Sequence, residues 1–94
     1  MRSITLIVQE EKKLTSYNFF RIIGMDDESA TYRLVNNDEG GFKPLKDFEG
    51  TMQQNAQNLL RYFHFERGSK IIRVTGDEEL GSYMQNLIKQ SHLR

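Results

Sequence analysis

Along residues 51–68, TMQQNAQNLLRYFHFERG, the apolar positions Met52, Ala56, Leu59, Leu60 and Phe63 recur at i, i+4, i+7, i+8 and i+11. That spacing predicts an α-helix with these side chains on one face and Gln53, Gln54, Gln57, Arg61 and His64 on the other. Thr51 followed three residues on by Gln54 is a capping-box pattern, in which the hydroxyl accepts the Gln54 N–H and the Gln side chain reaches back to the Thr51 N–H. Gly68 can close the helix in the left-handed conformation. Elsewhere the period is two. Ser3 to Gln9 sets Ile4, Leu6 and Val8 against Ser3, Thr5 and Gln9, a half-buried strand in which Ile7 interrupts the polar face and points to a second layer or a partner. Ala30 to Asn36 alternates in the same way, with Tyr32 and Leu34 opposed to Thr31, Arg33 and Val35. Ser69 to Thr75 reads as a further strand with Ile72 and Val74 on one face and Ile71 and Arg73 on the other. Thr75 and Glu78 repeat the capping-box spacing and open a second helix, whose Leu80, Tyr83, Met84, Leu87 and Ile88 form a single stripe.

Thr15 to Gly24, TSYNFFRIIG, is a continuous aromatic and β-branched run that suits either a strand or a short helix capped by Ser16 and closed by Gly24. The strand is favoured, paired with the first through the charged connection Glu10 to Lys13, because Tyr, Phe and Ile prefer a pleated surface. Asp26 to Ser29 and Asn36 to Gly41 form two acidic turns, with Gly40-Gly41 free to adopt positive φ. Phe42 to Leu45 is a short edge strand, since Pro44 has no N–H for an inner ladder. The order strands, helix, strand, helix predicts a single α+β domain over 1–94: a mainly antiparallel sheet of four or five strands with two amphipathic helices covering one face. The other face is left exposed or sticky.

The composition is that of a globular chain, with one Pro, 28% charged and 37% hydrophobic residues. Basic and acidic side chains number 13 each, so there is no overall field to draw in nucleic acid or an anionic membrane. The absence of Cys excludes disulfides, zinc-thiolate sites, iron–sulfur clusters and thiol catalysis. MRSITLIVQEEKK has only a short apolar run followed by charges, unlike a signal peptide or a membrane span, and cytoplasmic residence is the expectation.

No catalytic, cofactor or metal motif emerges. His64 and His92 stand without ligand-spaced neighbours or a framed nucleophile, and DDES and NNDEGG lack the alternating oxygen ligands of an EF-hand. Asp77 and Glu78 after Gly76 would repel a phosphate. The aromatics Tyr62, Phe63 and Phe65 are about 100° apart per residue, so one helical face cannot bury all three. Either the helix ends near Phe63 and its last turn inserts beside the sheet, or an aromatic is left outside. Arg61, Tyr62, His64, Phe65, Arg67 and Arg73 are therefore the candidate partner-binding residues, since exposed aromatics beside arginines are the side chains that anchor protein interfaces.

RGSKIIRVTGDEELGSYMQNLIKQ resembles the closing strand and helix of HPr-type phosphocarrier domains, a Gly turn, a strand, a Gly-acidic turn and an amphipathic helix in that order. With a helix over Ser16 to Gly24 the order would be similar to that family's βαββαβα open sandwich. No histidine lies near Lys13 to Asn18, where the family's phosphorylated His is expected, so no active-site residue carries over. The function expected from the chain is non-enzymatic: binding of another protein as an adaptor, regulator or inhibitor, or self-association through the sheet. RNA or DNA binding is the alternative, through the interleaved basic and aromatic residues Arg61, Tyr62, His64, Arg67, Lys70 and Arg73, with Tyr17, Phe19 and Arg21 as stacking candidates.

Overall fold

A computed structural model describes residues 2–38 and 42–92, with the backbone alone at 92. The elements are β1 (Ser3–Glu10), β2 (Lys13–Ile23), β3 (Ala30–Asn36), β4 (Lys43–Gly50), α1 (Met52–Arg61), a π-helical turn (Tyr62–Glu66), β5 (Lys70–Gly76) and α2 (Glu78–His92). The strands form one antiparallel sheet in the order β4-β3-β2-β1-β5. Thr15 to Ile23 is thus strand rather than helix, with Gly24 just past its end, and β2 is the middle of the sheet. Its aromatic alternation explains this: Tyr17 and Phe19 are fully buried, while Ser16 and Asn18, which alternate with them, are not. The Gly40-Gly41 turn and the His92 side chain fall outside the described residues.

Both helices lie on one face. Ile4, Leu6 and Val8 of β1, Tyr17 and Phe19 of β2, and Tyr32 and Leu34 of β3 meet Met52, Ala56, Leu59, Leu80 and Met84 from above in one buried cluster. Phe19 stacks on Tyr32 with ring centroids 5.0 Å apart. The opposite face is covered by no described element and carries half-buried Ile7 and Phe20 among Thr5, Ser16 and Asn18. An Arg33–Asp47 ion pair at 2.9 Å joins β3 to β4.

Four local expectations need correction. Ile72 does not share the buried face of Val74: Val8 pairs with Ile71 and Ile7 with Arg73, so Ile72 is an extra residue in a β-bulge. Ile71 and Val74 are buried instead, and Ile72 is 48% exposed. The cap of α2 is Asp77, not Thr75, because Thr75 is held in the ladder opposite Thr5 and the chain turns only at Gly76, where φ is +121°. Asp77 Oδ2 accepts the Leu80 N–H at 2.9 Å. The fourth strand runs on from Lys43 to Gly50, with Pro44 tolerated because β4 is an edge. Finally, α1 ends at Arg61 and passes into the π-turn before Gly68, which does take the left-handed φ of +58°. The Thr51–Gln54 capping box is formed as expected, at 3.0 and 2.9 Å.

Candidate partner-binding groove

The aromatics Tyr62, Phe63 and Phe65 lie in the π-turn that follows α1. Inserting a residue into the i→i−4 ladder widens the turn, and the Arg67 N–H reaches the Tyr62 carbonyl at 3.2 Å, five residues back. Phe63 keeps to the apolar stripe of α1 and is buried in the core, with its ring centroid 5.0 Å from that of Tyr17. Phe65 faces outward and is 76% exposed. Such turns are frequent at functional sites.

Phe65 stands at a groove of about 710 Å³ between the end of α1, the start of β5 and the last turns of α2. Leu60, Ile71 and Ile88 give it an apolar lining, and Arg61, His64 and Lys70 add cationic or polar groups. The His64 ring meets Phe65 edge-on at 4.6 Å. Two hydroxyls also line the groove, but Ser91 Oγ donates to the Ile88 carbonyl at 2.8 Å and Ser69 Oγ lies 3.1 Å from the Arg67 carbonyl, so neither is bonded to His64.

The six candidate residues are not one patch. Arg61, His64 and Phe65 come together at the groove. Tyr62 turns to the far side of the helix, edge-on to Phe48 at 6.0 Å and beneath Lys46 Nζ at 5.4 Å. Arg73 pairs with Ile7 and so belongs to the uncovered face of the sheet. Arg67 closes the end of the sheet, with its guanidinium 3.2 Å from both Glu10 Oε2 and the Tyr17 hydroxyl. Tyr17 in turn donates to Glu10 Oε1 at 2.6 Å. Burial opposes the ionisation of Glu10, yet the Tyr17 hydroxyl and Arg67 together hold its pKa below the ordinary carboxylate value. Burial, with Glu10 as acceptor, pushes the Tyr17 phenol up. This cluster borders a second, polar cleft of about 380 Å³.

Leu60, Ile71 and Ile88 were not among the candidates, and Lys70 stood only in the basic-aromatic set of the nucleic-acid alternative. Leu60 and Ile88 fell in the apolar stripes of their helices, and nothing in the stripes marks which members lie past the edge of the sheet. Among the described residues, no three His, Asp or Glu side chains gather closely enough to hold a metal ion, and no helix is long and apolar enough to cross a membrane. Comparison with protein-family models, curated proteins and solved structures gives no match.

Proposed function

We propose that this protein is a small non-enzymatic module that binds another protein, as an adaptor, regulator or inhibitor, through the groove beside Phe65. The exposed Phe65 ring at the edge of an apolar-lined groove carries the reading. A large aromatic held in water costs solvation free energy that a partner recovers on docking, and aromatics flanked by Arg are the usual anchors of interfaces. A chain without cysteine suits a reducing compartment, and we place it in the cytoplasm. Binding of RNA or DNA is the second reading, favoured by the same ring beside Arg61 and Lys70. It has less to draw on than the sequence suggested, because Arg67 is engaged with Glu10 and Arg73 lies on another face.

The experiment is affinity capture from cells that express the protein, run with and without nuclease, on the unaltered chain and on Phe65→Ala in parallel. A stoichiometric protein that survives nuclease and is lost with Phe65→Ala supports the reading. Recovery that depends on nucleic acid, or a partner retained equally by Phe65→Ala, overturns it.

A further inference from the structure

Resting on the groove reading above, the geometry points to one class of occupant: we propose that the groove takes a short acidic segment of the partner protein. The segment seats one aliphatic or aromatic side chain against Leu60, Ile71 and Ile88 and sets a carboxylate against Arg61 and Lys70. The apolar lining comes from three separate elements, α1, β5 and α2, so it is a preformed concavity and not the flank of one helix. At about 710 Å³ it is within the ~300–1,000 Å³ range of sites that enclose a ligand's apolar groups.

Charge selects the rest. Arg61, His64 and Lys70 line the groove, and among the described residues no Asp or Glu does. Arg2, Arg21, Arg33 and Arg67 are each ion-paired within the fold, whereas Arg61 has no such partner among the described residues, and neither has Lys70. Arg73 on the uncovered sheet face is likewise outside these pairs, so what sets Arg61 apart is its position beside an apolar lining. A planar guanidinium there offers a carboxylate two parallel hydrogen bonds in a partly desolvated setting. The acidic turn of Asp26, Asp27 and Glu28 is far from this site, since the Asp27 carbonyl accepts from Met52 at the opposite end of α1. An approaching acidic segment is therefore attracted at the groove and repelled at the other end of the helix.

The test is selection of a displayed random-peptide library on the intact chain, followed by fluorescence-anisotropy titration of the recovered peptides. Four proteins are compared: the unaltered chain, Phe65→Ala, the double reversal Arg61→Glu with Lys70→Glu, and Arg73→Glu as a control on the uncovered sheet face. Circular dichroism checks that each is folded. The expected consensus is a Leu, Ile or Phe with Asp or Glu within about four residues. Affinity should fall about tenfold or more in Phe65→Ala and in the double reversal, hold within about twofold in Arg73→Glu, and return in the double reversal for peptides whose acids are changed to Lys. Peptides that depend on Phe65 but are neutral or basic, or that ignore the charge reversal, overturn the acidic class and leave the groove reading standing. If no recovered peptide depends on Phe65, both fail together.

Discussion

Asn55 is the residue on which the start of α1 depends, although nothing in its type suggests a place in a core. It sits one turn after Met52 in the buried stripe and is fully enclosed. Its amide Nδ2 donates to the Thr51 carbonyl at 2.9 Å and to the Gly50 carbonyl at 3.2 Å, tying the helix to the end of β4. Only donors serve there, because the neighbours are carbonyl oxygens and Oδ1 has no protein partner. Asn55→Ala should therefore cost about 2 kcal/mol in urea unfolding, through loss of the side-chain tie to β4 and of buried volume, although the Thr51 carbonyl keeps the Asn55 backbone N–H at 2.9 Å. Asn55→Asp, nearly the same shape, should cost clearly more at pH 7, since it buries a carboxylate against those oxygens. Equal losses for the two substitutions would show that packing, not the donor pair, matters at this site.

At the scale of elements, the periods two and 3.6 were enough to read three of the five strands and both helices, because burial on one side imposes those periods directly, whereas β2 rested on the preference of its aromatics for a pleated surface and β4 on Pro44. What the pattern hid were the places where one residue is added. Ile72 in β5, Leu45 between the partners of Leu34 and Val35, and the extra residue of the π-turn each shift the phase of all that follows. An apolar residue in a bulge is indistinguishable by type from one on the buried face, so Ile72 misled the face assignment and the exposed position of Phe65 could be posed only as one of two options. Gly76 shows how tightly such joints are built. A Cβ there would lie 2.6 Å from the Ser3 carbonyl oxygen and 2.9 Å from Ile4 Cα, on a residue whose φ is +121°. Gly76→Ala should lower stability by about 2 kcal/mol or more, through both backbone strain and the collision with β1. Gly68 has the left-handed φ of +58° and nothing within 4 Å of a Cβ, so Gly68→Asn should stay within about 1 kcal/mol of the unaltered chain. Paired thermal melts of the two variants check this, and a Gly76→Ala protein as stable as Gly68→Asn would refute it.

Over the whole molecule, Arg2 gathers chain segments that are far apart in sequence, and the pH dependence of stability should follow from it. Its guanidinium lies 2.7 Å from Asp27 in the β2–β3 turn, 2.9 Å from Asp77 at the cap of α2 and 2.9 Å from Glu79, and its side chain is only 17% exposed. Arg21 adds a second cation to Asp27 at 3.1 Å. The Arg2 hydrogen bond, against a smaller burial effect, holds Asp27 below its ordinary pKa near 3.8. For Asp77 burial works the other way, but the Leu80 N–H and Arg2 outweigh it and the pKa is again lowered. Carboxyls whose folded pKa is depressed contribute stability that is fully present above the unfolded value and disappears as pH falls through the folded one. The unfolding free energy should then be nearly constant from pH 7 to about 5 and decline below about 4, as the unfolded chain takes up protons that the folded chain resists. Arg2→Leu should be less stable at pH 7, and its deficit should shrink as pH falls below about 4, as protonation of these carboxyls removes the charge that Arg2 stabilises. Half-exposed Asp27 and largely exposed Glu79 are screened by salt, so the deficit should also narrow at high ionic strength, with the Asp77 contact the part that persists. Urea titrations at stepped pH measure both curves, and a deficit that stays constant from pH 7 to 3 would mean that Arg2 stabilises by packing its aliphatic stem and not through its charge.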